Sequence, residues 1–158
     1  MMSRPALRTS GAAAVVAGAI GVGLWVVLCS ITNPPSPVWA VAVGLLVGYA
    51  AGSVPTSGGW PVAIVACVAA AVWLMIGFYY VDRLGFIEVE RAANRSLSLP
   101  LVPPWAWYWH VINQGFHRWI LQTPYLLGGI AAAGWSAFRG FGQQVMAGRA
   151  GRADGPTQ

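Results

Sequence analysis

Four stretches of this sequence contain no charged residue and are rich in apolar side chains. They cover residues 12–31, 38–54, 62–81 and 119–138. A helix of about 20 apolar residues is long enough to cross the ~30 Å hydrocarbon core of a lipid bilayer. Prolines lie between the first three stretches and end helices there, because proline lacks an N–H donor and blocks helix continuation. We therefore expect an all-α fold, namely a polytopic membrane protein with four transmembrane helices.

The composition supports the same class and excludes others. Hydrophobic residues make up 57% of the 158 residues and charged residues only 8%, whereas soluble proteins contain about 25% charged residues. So few charges cannot cover the surface of an ordinary soluble domain. A disordered chain is excluded as well, since disorder requires low hydrophobicity and high net charge.

The charged residues divide the chain into one membrane domain and two flanks. We expect residues 1–11 to form a cytoplasmic N-terminal flank, 12–139 a single four-helix membrane domain and 140–158 a flexible C-terminal tail. Residues 82–104 hold three of the four acidic residues and are predicted to form a polar loop. The first stretch could also be a cleaved signal peptide, but it is longer than a typical signal core, which favours its retention.

A tryptophan-rich segment, residues 105–118, is predicted to be an amphipathic helix in the membrane interface. At helical spacing its aromatic face continues into the fourth stretch and comprises Trp105, Trp109, Phe116 and Trp119. Tryptophan favours the headgroup region, where its ring contacts lipid and its N–H faces water. The opposite face carries His110, Gln114 and His117 and is a candidate functional face. A helix buried in a subunit interface is the alternative interpretation.

All nine basic residues are arginines, and they lie outside the four apolar stretches. Arg4 and Arg8 precede the first stretch, and Arg139, Arg149 and Arg152 follow the last. Because basic residues favour the cytoplasmic side, we expect both termini in the cytoplasm and the protein in the plasma (inner) membrane. The arginines do not alternate with base-stacking aromatic residues. We therefore expect lipid headgroups, and not nucleic acid, as their partners.

Small residues recur at every fourth position of two predicted spans. The second span carries Gly44, Gly48 and Gly52. The fourth span carries Gly128, Ala132 and Ser136. In lipid, helices associate through close backbone approach, which small residues allow. These rows either pack the helices of one chain together or bind a helix of another membrane protein, and the sequence leaves both interpretations open.

Residues that could carry catalysis or bind a metal are few. The acidic residues all lie outside the predicted spans, whereas ion-coupled transporters usually need an ionisable group inside the membrane. His110 and His117 are about 10 Å apart along a helix axis, too far for one straight helix to hold a metal ion with both. No hydrolase motif or phosphate-binding loop occurs. We therefore expect no catalytic site, no metal and no cofactor.

Residues 38–80 contain VGLLVGYA followed by SGGWPVAIVACVAA and resemble small bacterial membrane proteins in which two spans flank a glycine-rich turn. This resemblance implies a bacterial source, but no activity and no functional residues. We expect an accessory or scaffold subunit that associates with other membrane proteins, or with itself, through small-residue helix faces. A channel or transporter component is one alternative. The other is an interfacial lipid or quinone enzyme that uses Glu88, Glu90 or the two histidines.

Overall fold

The computed structural model describes residues 4–32, 36–54, 59–92 and 116–153. The helices in these residues are α1 (Arg4–Thr32), α2 (Trp39–Gly52), α3 (Trp60–Ala92) and α4 (Phe116–Ala153). No strand occurs in the described residues, so the predicted all-α class is confirmed for them.

Pro37 and Gly59 lie just before the second and third helices. The carbonyl of Pro37 accepts the N–H of Ala40 at 3.0 Å where α2 begins. Before α3, Gly59 has a φ of +125°, a backbone conformation that glycine adopts without strain. The carbonyl of Gly59 accepts the N–H groups of Val62 and Ala63, and α3 begins there.

Close contacts at glycines give the direction of α1 relative to α3. Gly18 of α1 lies against the ring of Trp73, and Trp25 further along α1 lies against Gly77. Because residue numbers rise together in both helices, α1 and α3 run parallel. A side chain at either glycine would overlap the facing indole ring, so each glycine provides the space for a large aromatic side chain.

The direction of α4 follows from its contacts with α3. The Leu74 side chain lies against Gly129, and the Cys67 thiol lies against Gly134. Residue numbers fall in α3 as they rise in α4, so these two helices are antiparallel. Helices α2 and α3 contact each other and both flanking helices, whereas α1 and α4 do not contact one another within the described residues. The bundle therefore has α2 and α3 in the middle.

The core between the helices consists mainly of alanine and valine. Its residues with no exposed surface include Ala14, Ala40, Val47, Ala66, Ala70 and Ala133. Trp25 and Leu74 are the largest fully buried side chains among the described residues. Small core side chains let the helix backbones approach closely, which favours association where lipid supplies little hydrophobic driving force.

Two of the four helices are long and apolar enough to cross a membrane by length and composition. The candidate spans are Leu7–Thr32 in α1 and Trp60–Gly85 in α3. Helix α2 has 14 residues and rises ~21 Å, which is less than the hydrocarbon thickness of a bilayer. Helix α4 contains Pro124 and is not among the candidate spans. All four predicted spans lie on helices, but only two meet the criteria for a span by themselves.

Two predicted helix ends differ from the structure. The polar loop was expected to begin at residue 82, but α3 continues to Ala92. The flexible tail was expected to begin at residue 140, but α4 continues to Ala153. Both extensions lack proline and contain helix-favouring alanine, arginine and glutamate or glutamine. Charge marks the end of an apolar stretch, whereas a helix already begun can continue through charged residues.

Candidate functional site

The row of Gly44, Gly48 and Gly52 on α2 lies against the backbone of α4. An added Cβ at Gly48 would stand 2.8 Å from the Cα of Ala133, and one at Gly52 would stand 3.1 Å from the Cα of Ala137. At Gly44 the added Cβ would overlap the carbonyl group of Gly129. The two helices are therefore parallel, with direct backbone contact. Within this structure the glycine row packs one helix of the chain against another.

The face of α4 that contacts this row is offset by one residue from the predicted series. Gly128, Ala132 and Ser136 are half-buried, and an added Cβ at Gly128 would lie 3.6 Å from the Val41 side chain. The backbone contacts come from the next row, which is Gly129, Ala133 and Ala137. Both rows consist of small residues at four-residue spacing, so the spacing alone does not distinguish them.

Trp25 connects α1 to α3 and to the segment before α2. Its indole N–H donates a hydrogen bond to the carbonyl of Ser36 at 3.2 Å. Its ring meets Phe78 edge-on, with 5.0 Å between the ring centroids. A buried tryptophan usually needs a partner for its N–H, and here the chain supplies one where α1 has ended.

A polar contact joins α3 and α4 near one end of the bundle. The side-chain amide of Gln122 donates a hydrogen bond to the Asp82 carboxylate at 2.9 Å, and both residues are half-buried. Asp82 lies inside the candidate span Trp60–Gly85, whereas the sequence places every acidic residue outside the predicted spans. The prediction for Asp82 is therefore wrong, because α3 and its candidate span continue past residue 81. The two residues are 40 positions apart in the sequence, so no local sequence pattern predicts their contact.

The opposite end carries arginines and aromatic rings. The guanidinium of Arg139 lies over the ring of Trp135, 5.1 Å from the ring centroid. The rings of Trp60 and Phe138 are 5.7 Å apart, which joins α3 to α4. Arg8 of α1 is exposed and lies toward this end, because Gly11 is opposite Val65. Trp135 and Arg139 are four residues apart at the end of an apolar stretch, so this contact could have been predicted from helical spacing.

Several predicted site residues fall outside what the structure describes. Trp105, Trp109, His110 and Gln114 lie outside the described residues, as does most of the predicted interfacial helix. Phe116, His117 and Trp119 belong to the first turns of α4, where only the backbone is described. Among described residues, no group of three or more His, Cys, Asp or Glu side chains is placed to hold a metal ion.

These features define a class: an all-α bundle in which two helices have the length and composition of membrane spans. No known protein family matches the chain, and comparison with curated proteins and with solved structures gives no match. The resemblance of residues 38–80 to bacterial membrane proteins stays a prediction.

Proposed function

We propose that this chain is an integral membrane protein whose four helices all lie in the bilayer, and that it is an accessory or scaffold subunit for other membrane proteins. The observation that carries the proposal is the apolar outer surface of every helix. Exposed large side chains include Ile20 and Leu24 on α1, Leu45 on α2, Val68 on α3 and Leu127 on α4. Soluble monomers rarely expose contiguous apolar patches larger than a few hundred Å².

The few polar residues on the outer surface support the same environment. The hydroxyl of Thr32 donates a hydrogen bond to the carbonyl of Leu28 at 2.7 Å, and that of Ser53 donates to Tyr49 at 2.7 Å. Both residues are exposed, yet their own helix provides the acceptor. Both hydroxyls lie at helix ends, and internal hydrogen bonds of this kind reduce the need for water at the boundary of the hydrocarbon core.

The dimensions of the bundle also fit a bilayer. From Trp60 to Asp82, α3 rises ~33 Å at 1.5 Å per residue, close to the ~30 Å of the hydrocarbon core. Only 39% of the most apolar 18-residue stretch of each candidate span is buried, so most of its residues are available to lipid. The shorter α2 lies between longer helices in the bundle.

We infer an orientation with both termini in the cytoplasm of a bacterial cell. Successive helices alternate in direction, so Arg8 of α1 and Arg139 of α4 lie toward the same end. Arg83, Arg91 and Arg118 lie toward the other end, against five arginines of α1 and α4 toward this end. An excess of arginine near short connections favours the cytoplasmic side.

The outward face of α1 is the surface we assign to a partner. Helix α1 has no contact with α4 within the described residues, and Ala19 and Gly23 are exposed on it. An added Cβ at Gly23 meets no atom within 4 Å. The Gly48 row, by contrast, is covered by α4. Small exposed residues permit a second helix to approach α1 closely.

Purification in mild detergent tests this role. A membrane protein partner should co-purify in a fixed ratio, and Gly23→Leu should reduce that ratio because the larger side chain holds the helices apart. Ala42→Leu, a matched change at an exposed position of α2, should leave the ratio unchanged. No stoichiometric partner, or equal effects of the two changes, would refute the proposed role.

A transport component is a second candidate, and Asp82 favours it. Ion-coupled transport usually needs an ionisable side chain in the membrane, and Asp82, half-buried near the end of the candidate span in α3, is the acidic residue closest to the apolar part of that helix. Liposomes that contain only this protein should then conduct ions, and Asp82→Asn should abolish the flux. Liposomes with no flux for monovalent cations or protons would exclude this candidate.

A further inference from the structure

Four side chains at the arginine end form one continuous surface, which we call the aromatic–arginine patch: Trp60, Trp135, Phe138 and Arg139. Trp60 of α3 contacts Phe138 of α4. Trp135 precedes Phe138 by three residues and Arg139 by four, so the three lie on adjacent positions of the α4 surface. All four are exposed, Trp60 to 72% and Trp135 to 59%.

The patch lies where the apolar surface of the bundle ends. Along α4, the exposed positions Leu127 and Ala131 are apolar or small, and Arg139 is the first exposed charged residue after them. Along α3, Trp60 is the first residue of the helix. With the bundle in a bilayer, the patch is at the level of the headgroups, where tryptophan and arginine are stable.

The charge at this end has one sign in the part of the chain that the structure describes. Arg8 and Arg139 are exposed there, and the acidic residues of α3 begin only at Asp82. The ring of Trp135 holds the guanidinium at 5.1 Å, so Arg139 loses less side-chain freedom when it binds an anion.

We propose that the aromatic–arginine patch binds one anionic phospholipid molecule. The guanidinium donates paired hydrogen bonds to the phosphate oxygens, a geometry that arginine provides and lysine does not. The exposed rings of Trp60 and Trp135 contact the upper acyl chains, and the indole N–H groups face the headgroup. This inference rests on the membrane location proposed above.

Native mass spectrometry of the full chain in detergent tests the proposal, with lipid added at increasing concentration. Phosphatidylglycerol should bind about tenfold more tightly than phosphatidylcholine, because the choline cation offsets the charge of the phosphate that Arg139 contacts. Arg139→Gln should remove this preference, and Trp135→Leu should lower it about threefold, as loss of an exposed cation–π contact predicts. Arg8→Gln, which removes the same charge at the same end, should leave the preference within about twofold. Inorganic phosphate should not displace the lipid, because phosphate lacks acyl chains.

Each other outcome overturns the proposal. Equal affinity for the two lipids excludes a site that selects anionic phospholipid, and equal losses in Arg139→Gln and Arg8→Gln indicate diffuse charge attraction. Displacement by inorganic phosphate indicates a simple anion site. If Arg139→Gln loses helix content by circular dichroism, Arg139→Lys replaces it and should keep only part of the preference; an unchanged preference overturns the proposal. A chain that stays monodisperse without detergent would instead refute the membrane location itself.

Discussion

Gly48 and Gly23 are both interior glycines of apolar helices, but their surroundings are opposite. An added Cβ at Gly48 would meet the Ala133 backbone, whereas one at Gly23 would meet open space. Alanine favours helix over glycine by about 1 kcal/mol at either position. Overpacking usually costs about 1–3 kcal/mol, so we expect Gly48→Ala to lower the free energy of unfolding by up to about 2 kcal/mol once this gain is subtracted. Gly23→Ala should be neutral or stabilising.

Unfolding of both variants in a detergent series, followed by circular dichroism, makes this comparison. Since the two changes are chemically identical, the difference between them isolates the contact between α2 and α4. Equal stabilities would mean that α4 does not pack against the glycine row.

The buried Trp25 allows a second test at the same scale. Replacing Trp25 by phenylalanine retains an aromatic ring against Phe78 but removes the hydrogen bond to the Ser36 carbonyl. A hydrogen bond of this kind contributes about 1 kcal/mol, so the midpoint of thermal unfolding should fall. Trp39→Phe, at a position that is 42% exposed, should change the midpoint much less. Equal shifts in the two variants would contradict a structural role for the Trp25 N–H.

Single residues also show how far the sequence could predict the packing. The Gly44, Gly48 and Gly52 row was recognisable because three glycines share one face of a short helix. Its partner face was not, since α4 offers two adjacent small-residue rows and the contact uses Gly129 and Ala133. The choice between the rows depends on how α4 is rotated against α2 and α3, which four-residue spacing does not encode.

At the scale of helices, the Asp82–Gln122 hydrogen bond joins α3 to α4, and its contribution to stability can be measured separately. Hydrogen bonds to charged groups contribute about 1.5–3 kcal/mol, and a double-mutant cycle measures the pairwise part alone. We expect Asp82→Ala and Gln122→Ala each to destabilise the chain, and the double variant to lose about 1–2 kcal/mol less than the sum. Strictly additive losses in the unfolding free energy would show that the two side chains do not interact.

The existence of the helices was easier to predict than their ends. Apolar stretches and the prolines between them located four helices, because proline and Gly59 determine where the chain turns. No proline stands in residues 82–92 or 140–153, and α3 and α4 continue through them. The amino-acid composition becomes more polar at those points, whereas the backbone stays helical.

For the molecule as a whole, the proposed function requires that the apolar outer surface faces lipid. Val68 is 60% exposed near the middle of the candidate span in α3, and Ala92 is exposed at the end of the same helix. In intact membranes, Val68→Cys should not react with a water-soluble maleimide above the background of the native cysteines, because a thiolate does not form without water. Ala92→Cys should react readily. Val68→Cys should become reactive once the membrane is dissolved in denaturing detergent, which proves that the thiol itself is competent. Equal reactivity of the two cysteines in intact membranes would mean that water covers the apolar face of α3, and the four helices would then not lie in a bilayer.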